Sequence, residues 1–106
     1  NVAGGYRINE PAADLAVAAA LVSSLSGSAL PADCVYFGEV SLSGAVRPVA
    51  HAGQRVKEAE KLGFRGAVLP QSGQDPQSPR GFRVAEVSAL ADLVARIASG
   101  QDKRNA

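Results

Sequence analysis

Apolar side chains make up 46% of the 106 residues and charged ones 20%, a balance that excludes a disordered chain and suits one globular domain with a buried core. Eleven Lys and Arg face ten Asp and Glu, a net charge of +1, so charge alone gives no long-range attraction to nucleic acid. A single cysteine, Cys34, excludes an internal disulfide and a Cys-based zinc site, and it fits a reducing cytosol.

The segment from Val2 to Ile8 reads as a strand, in which Gly4-Gly5 allows a bulge or a close backbone approach. Those two glycines lack the context of a phosphate-binding loop. Pro11 then forces a turn, and a helix is expected over 12–25. Leu15, Ala18, Ala19, Val22 and Leu25 keep the 3.6-residue period, while Val17, Ala20 and Leu21 make the other face apolar too. Such a helix is expected to be buried on several sides. Ser23, Ser24 and Ser26 keep its apolar run short of the ~18 residues of a membrane span, so no membrane partner is expected. The opening residues lack the charged segment and apolar core of a secretory leader. With no methionine and a start inside the expected strand, the chain is expected to be a piece of a longer, cytoplasmic polypeptide.

Gly27 suits a helix stop. Cys34 to Phe37 is a short continuous apolar run, as in a fully buried strand, with Cys34 as a structural thiol. Val40, Leu42 and Val46 alternate around Ser43-Gly44, which predicts a hairpin over 40–49. A second helix is expected from Gly53 to Leu62, with Val56, Ala59 and Leu62 as its apolar stripe. Gly63 would be its left-handed cap and Phe64 the closing contact. Ala67-Val68-Leu69 predicts a buried strand ended by Pro70, and 71–81 a polar loop with two prolines and two glycines. Phe82, Val84 and Val87 mark a last strand. Ser88 is the expected cap of a third helix bearing Leu90, Leu93, Val94 and Ile97. The order of elements predicts an α/β domain of the α+β two-layer kind, with helices packed on a mixed β-sheet. The domain is expected over 1–98, followed by a flexible polar tail over 99–106.

Two constellations invite chemistry. His51, with Ser41 or Ser43 and Glu39 or Glu58, contains the residue types of a hydrolase triad, but no nucleophile elbow or supporting spacing accompanies them. Arg47, Arg55, Lys57, Lys61 and Arg65 form the densest basic stretch, diluted by Glu58 and Glu60. It is either a solvated helix face or a phosphate-contacting patch.

Several motifs carry a resemblance. The frame Gly38-Glu39-Val40-x-Leu42-x-Gly44-x-Val46-x-Pro48-Val49 resembles the proteolytic domain of Lon proteases. Lys57-Glu58-Ala59-x-x-x-Gly63-Phe64 and Val68-Leu69-Pro70 follow in the same order. The resemblance implies the Lon proteolytic-domain-like fold, also described as ribosomal protein S5 domain 2-like. It also implies a serine–lysine dyad, whose positions fall here on Ala12 and Gly53. A methyl group cannot attack a carbonyl, and glycine cannot act as a base. Lys57, four residues on and about 6 Å along a helix, would have no nucleophile to activate. Within the Lon-like proteins the opening Asn1-Val2-Ala3-Gly4-Gly5-x-Arg7-Ile8-x-Glu10-Pro11-Ala12-Ala13-Asp14-Leu15-Ala16 and Arg55-x-Lys57-Glu58-Ala59-x-Lys61-Leu62-Gly63-Phe64 resemble the C-terminal domain of the bacterial RadA (Sms) family.

That resemblance implies a proteolytically dead domain in a hexameric, ATP-driven DNA repair and recombination factor that acts at branched DNA. The implied partners are further copies in a ring and DNA. ATP and zinc are implied only for a preceding part of the polypeptide, with no cofactor in this domain. The alternative is an active peptidase of the same fold with Ser41 or Ser43 as an atypical nucleophile.

Overall fold

The computed structural model describes residues 10–72 and 78–99. The strand expected over Val2–Ile8, its glycine bulge and the tail from Gly100 lie outside the described residues. Pro11–Ala13 form a single 3-10 turn, and helix α1 follows over Asp14–Ser26. Proline suits this first turn, where its missing N–H would have no partner. Gly27 ends α1 in the left-handed region at φ 75°, its N–H donating to the Ser23 carbonyl. Strand β1 spans Cys34–Tyr36, and the hairpin strands β2 and β3 are Glu39–Val40 and Val46–Arg47. Helix α2 covers Ala52–Lys61, strands β4 and β5 cover Gly66–Pro70 and Arg83–Val87, and helix α3 covers Leu90–Ala98.

The end of α2 follows from three residues. Leu62 is the C-cap, Gly63 takes φ 99°, and the Phe64 N–H reaches back to the Ala59 carbonyl at 3.0 Å. The Gly63 N–H bonds the Glu60 carbonyl at the same distance. This double closure satisfies carbonyls that a helix end otherwise leaves open.

The α/β class holds, with both strand senses present, but they separate into two sheets. Strands β1, β4 and β5 form a parallel sheet in the order β1-β4-β5, while β2 and β3 pair antiparallel on their own. The layering also differs from the two layers expected. Strand β4 is buried at all five residues, so both of its faces need cover. Val68 packs with Leu15, Ala19, Leu93 and Ile97 of α1 and α3. Ala67 and Leu69 pack with Val56, Ala59 and Phe82 on the side of α2. Helices therefore flank the parallel sheet on both faces.

Three local expectations need correction. Helix α1 is not buried on several sides: Leu15 and Ala19 are fully buried, whereas Val17, Leu21 and Leu25 are 58%, 59% and 87% exposed. One narrow alanine-rich face suffices to dock it, and the rest points outward. Strand β1 is not fully buried either, since Cys34 and Val35 are half-buried and only Tyr36 is inside. Ser88 does not cap α3. Its N–H and hydroxyl both donate to the Asp92 carboxylate, at 3.2 and 3.1 Å, and the Ala89 N–H joins them at 3.2 Å. An acidic side chain one turn inside the helix thus replaces the hydroxyl cap.

Candidate functional site

The start of α1 is the best-defined junction in the molecule. The Glu10 carboxylate accepts the Ala12 N–H at 3.3 Å, and the Ala12 carbonyl accepts the Gly38 N–H at 2.9 Å. The Gly38 carbonyl in turn accepts the Leu15 N–H at 2.9 Å, and Asp14 Oδ2 accepts the Val40 N–H at 3.1 Å. Gly38 is required at this crossing. A Cβ there would stand 3.0 Å from Val46 Cγ1 and 3.2 Å from Leu15 Cδ2.

Beside this junction lies an apolar cleft of about 560 Å³. Ala12, Ala13 and Ala16 form one wall, Cys34 to Phe37 another, and Leu30, Pro31, Phe64, Glu10 and Arg55 complete it. Ala12, onto which the resemblance carries the nucleophile position, is 4% exposed and presents only a methyl group. Gly53 does not line the cleft. It sits in the first turn of α2, exposed, and a Cβ there would meet nothing within 4 Å. The cleft has the frame of a site at a helix N-terminus, and neither Ala12 nor Gly53 brings a reactive side chain to its walls.

The serines are engaged elsewhere. Ser41 and Ser43 share a hydrogen bond at 2.9 Å, and Ser41 Oγ accepts the Ala45 N–H at 3.2 Å, so both fasten the hairpin turn. His51 is exposed, takes φ 61° and ψ 38° at the N-cap of α2, and hydrogen-bonds no serine or carboxylate side chain among the described residues. The residue types of a triad are present but not assembled. Among the described residues no group of three or more His, Cys, Asp and Glu is placed to hold a metal ion.

The basic residues do not share one face. Arg47 is exposed on β3, opposite Glu39 in the hairpin ladder. Arg55 turns inward: Nε donates to the Ala50 carbonyl at 2.9 Å, an Nη group pairs with Glu10 at 3.4 Å, and the guanidinium lies 5.9 Å from the Phe37 ring centre. Those contacts fasten the entrance of α2 to the turn before α1, two segments that sequence reasoning had no signal to join. Lys57 and Lys61 are exposed on α2 among Glu58 and Glu60, and Arg65 is exposed beyond the helix cap. The structure adds Arg80 and Arg83 to the neighbourhood of Arg65, since Arg80 shares a cleft with it and the Arg83 N–H donates to its carbonyl at 3.0 Å.

A family model described as subunit ChlI of Mg-chelatase matches residues 2–73. The chain belongs to this family. It is also 70% identical over 105 residues to the DNA repair protein RadA of Brucella abortus, a match that covers 98% of this chain and 22% of that protein. The RadA proteins of Escherichia coli and Pseudomonas aeruginosa are 44% and 47% identical over 89% and 85% of the chain, each match covering 20% of the relative. The matching region is the C-terminal portion of RadA. The chain therefore spans about a fifth of the length of the curated relatives it matches. No helix among the described residues is long and apolar enough to cross a membrane.

Proposed function

We propose that this chain is a proteolytically inactive Lon-like domain. In this reading it serves as the oligomerisation and DNA-positioning platform of a cytoplasmic, RadA-type DNA repair ATPase that drives branch migration. The observation that carries the reading is the cleft at the start of α1, a helix N-terminus facing an apolar groove with Ala12 at its tip. Catalysis there would need a nucleophile and a base within hydrogen-bond reach, and Ala12 and Gly53 supply neither. The 70% identity to a RadA protein supports the repair context. ATP and zinc would then be bound by other parts of the parent, and this domain would need no cofactor of its own.

The outward row of α1 supports the assembly role. Val17, Leu21 and Leu25 recur at four-residue spacing and are all more than half exposed, and residues 15–32 contain no charged side chain. An apolar strip without charged neighbours is the surface of a protein interface rather than of a freely solvated helix. In a ring each copy would bring such a strip to a different patch of the next copy.

Two measurements on the full-length protein test the proposal together. Casein and short fluorogenic peptides should not be turned over at neutral or mildly alkaline pH. Turnover that survives purification and disappears with Ser41→Ala or Ser43→Ala would overturn the inactive reading. Leu21→Glu should shift the mass in light scattering toward smaller species while leaving the thermal midpoint within a few degrees. An unchanged assembly would remove α1 from the interface.

A further inference from the structure

We propose that DNA phosphates are held by the leading edge of the parallel sheet, a ridge of arginines, rather than by the outer face of α2. This rests on the DNA-positioning reading above and names the surface that would perform it. The three parallel strands begin in line. The Arg65 and Gly66 N–H groups both donate to the Asp33 carbonyl just before β1, at 2.8 and 3.3 Å, and the Arg83 N–H donates to the Arg65 carbonyl. Gly66 pairs with Arg83 in the ladder. Arginines 65, 80 and 83 are thereby drawn to one end of the sheet, and the last turn of α3 brings Arg96 to the same end.

Side chains alternate between the faces of a sheet, so these arginines straddle the edge. On the side of α2, Arg65 and Arg80 flank a shallow cleft of about 410 Å³ with Phe64, Gly81, Phe82 and Glu60. On the side of α3, Arg83 and Arg96 line a second cleft of about 420 Å³ with Asp33. Arg65 and Arg80 are exposed, and neither side chain makes an ion pair or hydrogen bond among the described residues. Four of the eight described basic residues gather here against Glu60 and Asp33 of the eight described acids. Among the described residues the edge is therefore positive, and in the remainder acids outnumber bases.

The residue type fits the ligand. All four cations are arginines, whose planar guanidinium groups bond phosphate oxygens in pairs and lose less hydration than an ammonium. Among the described residues no helix or strand projects from this edge to reach into a groove, so the contact would be to the backbone and indifferent to base sequence. On α2, by contrast, Lys57 is followed by Glu58 and Glu60, and Arg55 is already occupied by Glu10 and the Ala50 carbonyl.

The test places two paired charge reversals in the full-length protein, Arg65→Glu with Arg80→Glu and, separately, Arg47→Glu with Lys57→Glu. Binding of labelled single- and double-stranded oligonucleotides of several sequences is measured at two or more salt concentrations. All four positions are exposed, and matching thermal midpoints confirm folding. The expected result is an affinity loss of about tenfold or more for the edge pair at low salt. The salt slope should fall by about 1.5, since each phosphate contact contributes roughly 0.7–0.9, and the loss should be alike for every sequence. A larger loss from the Arg47–Lys57 pair would overturn the edge as the site while leaving the DNA-positioning reading intact. Unchanged affinity and slope in both pairs would overturn both.

Discussion

Helices α1 and α2 are of similar length and flank the same sheet, yet they treat solvent in opposite ways. In α2 the buried residues are Val56 and Ala59, and the outward positions are Gln54, Lys57, Glu58, Glu60 and Lys61. This is the ordinary division of an amphipathic surface helix. In α1 the buried residues are Leu15 and Ala19, and the outward ones include Val17, Leu21 and Leu25. Burial on the inner side is thus achieved by two residues in each helix, and the difference lies wholly in what faces out. A helix that needs only a narrow inner stripe but is apolar all round has a second surface to cover. That excess is the surface the proposed assembly role would use.

The largest effect should separate the two faces of α1 from the wet face of α2. Ala19 is 0% exposed and packed against the sheet. Ala19→Asp would place a carboxylate there without a partner, at a cost of several kcal/mol. A domain of this size has little more stability than that to lose, so the variant is expected to be unfolded or nearly so. Glu60→Ala, on the exposed side of α2, should change stability by less than about 0.5 kcal/mol. Urea midpoints measured side by side check the contrast, and equal midpoints would mean that α1 does not anchor the core.

The start of α3 sharpens the comparison, because it is held by a titrating group. Hydrogen bonds from the Ser88 N–H, the Ser88 hydroxyl and the Ala89 N–H hold the Asp92 carboxyl below its ordinary value. A folded-state pKa below the unfolded one means the unfolded state binds the proton more readily. The contribution is then fully present above the ordinary carboxylate range and is lost as pH falls through the lowered folded value. Asp92 is exposed at the surface, so the effect is expected to be modest. Asp92→Asn should reduce stability at neutral pH and flatten its fall below the ordinary carboxylate range of about pH 4. Thermal midpoints across that range should converge with those of the parent at the acid end, and parallel curves would show that Asp92 does not contribute.

The sequence carried the elements but not their exposure, and the reasons are physical. Gly27, Gly63 and Ser43-Gly44 marked stops and a turn because glycine tolerates the left-handed backbone that these places need, and the structure gives Gly27, Gly44 and Gly63 positive φ. The buried side of α1 was not legible, because a period cannot reveal a phase when nearly every position is apolar. The covering of β4 on both faces was hidden for a related reason, since three apolar residues in a row do not say how many layers lie around them. The assignment of dyad positions to Ala12 and Gly53 rests on resemblance alone and has no local signal in the residues themselves. The arginine edge was not legible at all. Residues 65, 80, 83 and 96 are scattered over the second half of the chain, and only strand register and the end of α3 bring them together. The same holds for the pairing of Arg55 with Glu10, 45 positions apart.

The smallest effect concerns how the two flanking helices begin. The 3-10 turn and first turn of α1 are tied to Gly38 and Val40 by three hydrogen bonds and to Glu10 by two more. Helix α2 has no side-chain cap, and its N-cap residue His51 stands at φ 61° in the left-handed region, the only non-glycine residue there among those described. An L-residue pays roughly 1–2 kcal/mol for that conformation, whereas glycine adopts it freely. His51 makes no side-chain hydrogen bond among the described residues that would be lost on substitution. Against the relief of strain, glycine adds freedom to the unfolded chain, worth about 0.4–1 kcal/mol. His51→Gly should therefore raise stability by about 0.5–1 kcal/mol, and His51→Val, whose branched side chain resists positive φ, should lower it by a similar amount or more. Urea midpoints of the two variants on either side of the parent would establish that the strain lies in the backbone at position 51. A loss of stability in both would instead assign the histidine ring a role in holding the entrance of α2.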